Sequence, residues 1–152
     1  MAPIFKKLNL KDQPEVLVLS APVSFEPEIA SLDGVVVHRD AAALSEVAFV
    51  LAFVKTQEEL DAAVAAVTPK AQGDAVVWFA YPKKSSKRYT CEFSRDSGWE
   101  ALGAAGFEAV RQVAIDEDWS ALRFRRAEYI KSMKRDPKHA MSAAGKRKAA
   151  AK

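Results

Sequence analysis

Two stretches of the chain are apolar without a break. "VAFVLAFV" (Val47 to Val54) and "AVVWFAY" (Ala75 to Tyr81) show no alternation of apolar and polar residues, as expected when both faces of a parallel strand are covered by helices. They are predicted to be central strands. "EVLVLS" (Glu15 to Ser20) is short, branched-aliphatic and follows Pro14, and "VVVH" (Val35 to His38) follows Gly34. Both read as strands. Between them "FEPEIASLDG" has room for only a short helix. The period changes in "TQEELDAAVAAVTP", where Leu60, Val64 and Val67 recur at helical spacing. Thr56 and Glu59 form a capping-box pattern at its start, the threonine accepting from a free backbone N–H and the glutamate reaching back.

A second such signature, Ser97 with Glu100, opens "SGWEALGAAG", whose Trp99 and Leu102 are placed to face the sheet before Gly106 ends the helix. "FEAVRQVAI" follows as another strand. After the acidic turn Asp116-Glu117-Asp118 comes "WSALRFRR", in which Leu122 and Phe124 alternate with Arg123 and Arg125. That alternation predicts a half-exposed antiparallel strand. So short a connection cannot make a parallel crossover, and the last two strands are expected to form a hairpin.

The order predicts an α/β fold: a mostly parallel, Rossmann-like sheet with helices on both faces and a C-terminal antiparallel β-hairpin. "RAEYIKSMKRD" is expected to add a terminal helix with Ile130 and Met133 on one side. Residues 1–134 then form a single domain. Residues 135–152, with Pro137 and "SAAGKRKAAAK", read as an unstructured basic tail. No internal repeat is present.

Composition narrows the setting. A chain of 152 residues suits one domain with a real core, burying roughly 68–70% of the surface its unfolded form exposes. The single cysteine, Cys91, cannot form an internal disulfide, and the first thirty residues lack an apolar run long enough for a signal peptide's core. A cytoplasmic protein is expected. The longest apolar run has eight residues, against the roughly 20 of a membrane-spanning helix, so no membrane association is expected. The net charge of +3 is unevenly placed, with residues 131–152 carrying +7 and residues 1–130 carrying −4. Such asymmetry marks nucleic-acid or acidic-partner contact, and also serves mere solubility. The oligomeric state has no signature in the sequence.

A parallel sheet ending in an antiparallel hairpin resembles the Rossmann-like fold of class I S-adenosylmethionine-dependent methyltransferases, reduced by about one strand-helix unit. More closely, "LNLKDQPEVLVLSAP", "VVWFAYPKKSSK" and "AIDEDWSALRFRR" resemble a family of small bacterial proteins of unknown function with a degenerate domain of this kind. The resemblance spans about residues 5–126. It implies a fold and no established activity. Active methyltransferases have a glycine-rich turn after strand one, because glycine permits positive φ and close backbone approach to the ligand. Here that turn is "SAPVSF", without glycine, and Pro22 removes one N–H donor. No cofactor is therefore expected. Asp40 lies just past the second strand, where related folds place an acid on ribose hydroxyls; a lone acid there is more often an ordinary cap or turn residue.

Catalytic chemistry finds little support. His38 and His139 sit in no metal-binding spacing, and the chain lacks a CxxC pair, so no metal site is predicted. Lys87, Arg88 and Arg95 near Cys91 in sequence favour a thiolate, but no base accompanies it and a packing role is the simpler account. Three consecutive acids at 116–118 cannot all aim at one point from extended backbone, which favours a solvated turn. Trp78, Trp99 and Trp119 all lie in or beside predicted elements and are assigned to the core.

The strongest candidate is the loop after "AVVWFAY". Lys83, Lys84, Ser85, Ser86, Lys87 and Arg88 put four positive charges and two hydroxyls directly past the carboxyl end of a central strand, which is where open α/β sheets bind ligands. A solvated lysine loop is the ordinary alternative. The sequence thus favours a non-catalytic module that binds an anionic small molecule or acidic partner through residues 83–88, with Asp40 as a further candidate ligand-binding position. The alternatives are a small enzyme of methyltransferase-like ancestry and a nucleic-acid-associated protein using its basic tail.

Overall fold

A computed structural model describes residues 3–87, 89–91 and 98–129. Strands β1 (Glu15–Leu19), β2 (Val36–His38), β3 (Val47–Phe53), β4 (Ala71–Pro82), β5 (Phe107–Ala114) and β6 (Trp119–Arg126) form one sheet in the order β2-β1-β3-β4-β6-β5. The first four are mutually parallel, whereas β6 runs antiparallel to both β4 and β5. The expected α/β architecture with its closing hairpin is present. The hairpin is inverted in space, however: the last strand lies inside the sheet and β5 forms the edge.

That order corrects one expectation. Position inside the sheet leaves β6 far from half exposed: Trp119, Ser120, Ala121 and Leu122 are all buried, and Arg123 and Arg125 are half-buried. Strand β4 also begins earlier than its apolar run. Its first residues, Ala71–Asp74, precede that run and include Gly73, which adopts φ +56°, a conformation that suits glycine. Yet Ala71 pairs with Val47 before a register shift between Val47 and Phe49.

Alternation along the strands makes two cores. On one face Leu17, Val50, Val77 and Phe79 pack with Leu60, Val64 and Val67 of α3 (Gln57–Val67) and Leu102 of α4 (Glu100–Ala104). On the other, Val18, Leu51, Trp78 and Ala121 pack with Phe5, Leu8 and Ile29 from the segments of α1 (Pro3–Lys7) and α2 (Glu26–Ala30). Helix α1 has no periodic signature in the sequence. It is held by burial of Phe5 and by the Trp78 indole N–H, which donates to the Leu8 carbonyl at 2.7 Å.

Helix α3 has its capping box, with Thr56 Oγ1 accepting from Glu59 N at 3.1 Å and Glu59 Oε1 accepting from Thr56 N at 3.3 Å. Trp99 serves as the N-cap position of α4; Ser97, predicted to open it, lies outside the described residues. All three tryptophans are buried. The predicted terminal helix begins as a single 3-10 turn at Ala127–Tyr129, and the rest of it, with the predicted tail and His139, lies outside the described residues.

Candidate functional site at the carboxyl edge

Strand β4 ends at Pro82, and the chain turns over the β5–β6 connection. The Lys83 amide donates to the Asp118 carbonyl at 2.8 Å, and the Ser86 amide closes a turn onto the Lys83 carbonyl at 3.0 Å. Ser86 Oγ donates to Asp118 Oδ1 at 2.9 Å and accepts from the Tyr89 amide at 3.2 Å. The opposing turn is itself held by Asp116, whose Oδ1 accepts from the amides of Asp118 and Trp119 at 2.8 and 2.9 Å, an Asx turn. The acidic triplet therefore does structural work as a turn, and Asp118 ties it to the basic loop. Among the described residues no group of His, Cys, Asp and Glu is placed to hold a metal ion.

Between this loop and the strands beneath it lies a cleft of about 720 Å³. Lys83, Lys84 and Ser86 line it together with Tyr89, Thr90 and Cys91 from farther along the loop. Its strand-derived walls include Tyr81, Gln112, Ala114 and Ser120. Gln112 Nε2 donates to Tyr81 Oη at 3.1 Å and to Ser120 Oγ at 2.9 Å, a polar row across β4, β6 and β5. Tyr89 packs on Trp119 with centroids 5.1 Å apart, and the Lys55 ammonium lies 5.5 Å from the Tyr89 ring centre, within cation–π range.

The sequence-derived candidates separate into three groups. Lys83, Lys84 and Ser86 come together at the cleft. Ser85 and Lys87 are exposed and do not line it, and Arg88 lies outside the described residues, as does Arg95. Asp40 is three strand positions away, past the end of β2, where its Oδ1 accepts from the Ala42 amide at 2.9 Å and caps a 3-10 turn. That is the ordinary capping role. Gln112, Ser120, Tyr81 and Lys55 were missed, because only the pairing of β6 with both β4 and β5 brings the first three into one row. Gln112 did carry a faint signal as a lone amide between Arg111 and Val113 in an otherwise apolar-rich strand.

The β1–β3 crossover, where the strand order reverses, is built differently. Ser20 adopts φ +57°, and a 3-10 turn at Val23–Phe25 follows Pro22. Phe25 packs on Phe53, the last residue of β3, at 5.0 Å, and Phe53 packs edge-on to Trp119 at 5.1 Å. All three rings are buried. Arg39 after β2 forms a two-point ion pair with Glu26, at 2.8 and 2.7 Å.

No protein-family model and no curated protein matches the sequence. Among solved structures the chain is similar to a ribosomal protein L11 methylase from Lactobacillus delbrueckii subsp. bulgaricus, with TM-score 0.51 and 10% identity over 82% of this chain and 76% of that one. The fold is Rossmann-like and methyltransferase-like. Weaker likenesses are to a Sulfolobus solfataricus protein assigned to the type 11 methyltransferases (TM-score 0.48, 10% identity, 83% of this chain and 89% of that one) and to a LepI variant solved with SAH and a substrate analogue (TM-score 0.46, 14% identity, 80% and 38%). Within this methyltransferase-like fold the crossover crevice is taken up by aromatic rings, and the cleft lies two strands farther along. Among the described residues no helix is long and apolar enough to cross a membrane.

Proposed function

We propose that the protein is a non-catalytic binding module of methyltransferase-like fold that takes a small anionic ligand in the cleft under residues 83–91. The observation that carries this is the convergence of Lys83 and Lys84 on a cleft of about 720 Å³ whose strand-built side is a polar row, Tyr81, Gln112 and Ser120. The lysines supply charge-assisted donors for the anionic group, and the row supplies hydrogen bonding for the body of the ligand. The site lies outside the strand carboxyl ends, the usual location in open α/β sheets. Loss of glycine from the turn after β1 and the burial of Phe25 and Phe53 at the crossover support a role without methyl transfer.

The test is a thermal-shift screen of phosphorylated metabolites, nucleotides and carboxylates, followed by calorimetry on the best compound with the Lys83→Ala/Lys84→Ala variant. Each lost charge-assisted contact weakens binding by about 1.5–3 kcal/mol, or roughly tenfold or more. Stability should change little, since exposed substitutions usually cost within about 0.5 kcal/mol. A Lys146→Ala/Lys148→Ala variant controls for net charge. Equal weakening by both double variants, or none by either, overturns the cleft as the binding site.

A further inference from the structure

On the opposite face of the β5–β6 hairpin from the cleft, two arginines face each other. The register pairs Arg111 of β5 with Arg123 of β6, and like charges directly opposed across a sheet are destabilising. Arg125, two residues along the same face of β6, has its charge matched: Nε and an Nη donate to the two carboxylate oxygens of Asp74 at 2.7 and 2.6 Å. Arg39 is matched by Glu26, and Arg126 donates to the carbonyls of Thr68 and Ala71. Among the described arginines, only the side chains of Arg111 and Arg123 have no hydrogen-bond or ion-pair partner.

Arg123 is the telling one. Its cross-strand neighbour in β4 is Trp78, its side chain is half-buried, and its Nε is enclosed without a hydrogen-bond partner. Burial, and then the nearby Arg125, lower its pKa, with Arg111 acting the same way and Asp74 opposing them. An exposed lone arginine is unremarkable, but a half-buried guanidinium facing another without an acid between them raises the free energy of the native state. The hairpin also carries a register shift between Ala109 and Arg111, a bulge of the kind that re-aims side chains next to sites.

We infer that Arg111 and Arg123 form a second anion site, for a phosphate group, on the face of the hairpin opposite the cleft. Two planar forks side by side match a tetrahedral oxyanion, and a phosphate supplies the negative charge that Asp74 alone does not. The same chemistry is presented by a free phosphorylated metabolite and by a nucleic-acid backbone. This site does not depend on the cleft.

The experiment uses the full chain with two probes at fixed ionic strength: inorganic phosphate, followed through the Arg123 Nε–Hε resonance, and a short fluorescein-labelled single-stranded oligonucleotide, followed by anisotropy. The Arg123 resonance is expected to shift on saturation with at least one probe. In Arg111→Gln/Arg123→Met the affinity for that probe, read by calorimetry or anisotropy, is expected to fall about tenfold or more, while Lys146→Ala/Lys148→Ala, which removes the same charge elsewhere in the chain, leaves it unchanged. The arginine variant should melt at or above the wild-type temperature in phosphate-free buffer, because an unmatched charge has been removed. Should it fail to fold, Arg123→Lys, which keeps the charge but loses the fork, is expected to weaken binding severalfold. Phosphate binding without tighter oligonucleotide binding identifies a small-molecule source. Tighter oligonucleotide binding that falls steeply with salt identifies a nucleic-acid backbone. No binding of either probe, unchanged affinity in whichever arginine variant folds, or equal loss in the Lys146/Lys148 variant overturns the inference.

Discussion

The two ends of the sheet's carboxyl edge obey the same topological rule and arrive at opposite results. At the β1–β3 crossover, where a doubly wound sheet opens its crevice, Phe25 and Phe53 meet at 5.0 Å and are almost fully buried. At the β4–β6 end, the small side chains of Ala114 and Ser120 leave a cleft of about 720 Å³ beneath a basic loop. Topology nominates an edge, and side-chain volume decides which part of it stays open. The closed end is held by apolar packing and the Glu26–Arg39 ion pair, the open end by a loop hydrogen-bonded to a turn.

The sharpest way to break the contrast is to empty the closed end. Phe53→Ala should destabilise the protein by about 3–5 kcal/mol, because a large buried ring is replaced by a cavity; chemical denaturation measures it. A loss under about 1 kcal/mol would show that the crossover is loosely filled after all.

Next is S-adenosylmethionine. A ligand at 100 times its dissociation constant adds about 2.7 kcal/mol of stability, and the expected outcome here is no shift in the thermal midpoint and no micromolar binding by calorimetry. Micromolar binding would mean that the crossover opens.

At the open end, Asp118→Ala removes the acceptor of Ser86 Oγ and should cost about 1–2 kcal/mol, since the contact is charge-assisted but only partly buried. Faster hydrogen exchange at the Ser86 and Tyr89 amides would show the loop released, and unchanged exchange would show that Asp118 is not what holds it. Ser20→Gly probes the turn at the closed end. Glycine accepts φ +57° without the penalty of a Cβ, so a gain of about 0.5–1 kcal/mol in denaturation is expected. A loss would mean that the serine side chain matters more than its backbone.

The smallest effect concerns pH. The hydrogen bond from Arg39 holds the Glu26 carboxyl below its ordinary value of 4.5. The pair's contribution is then fully present above that value and disappears as pH falls through the lowered one. Glu26→Gln should flatten the acid limb of the stability profile and leave the neutral region nearly unchanged. An unaltered acid limb would remove this pair from the account of the closed end.

Much of this was legible along the chain. The unbroken apolar runs at Val47–Val54 and Ala75–Tyr81 declared buried strands, because burial on both faces leaves no position for a polar residue. Thr56 and Glu59 marked the start of α3, because a capping box is made between residues three apart. Lys83, Lys84 and Ser86 stood out because they follow a central strand directly. Asp40 stood out as an acid just past the second strand, and in the structure its side chain accepts from the Ala42 amide and caps the next turn, since sequence position alone does not separate a ligand's acceptor from a backbone's.

By itself the sequence determined the strands, α3, α4 and the basic loop, which depend on local hydrogen bonding and on the period of burial, though not α1. The tertiary structure decided the placement of β6 between β4 and β5. That single choice drew Gln112 and Ser120 under the loop on one face, while the hairpin's register, shifted between Ala109 and Arg111, set Arg111 against Arg123 on the other. Strand order rests on backbone pairings between distant segments, whose ladder hydrogen bonds are the same whichever neighbour a strand takes, so no local pattern of residues announces it.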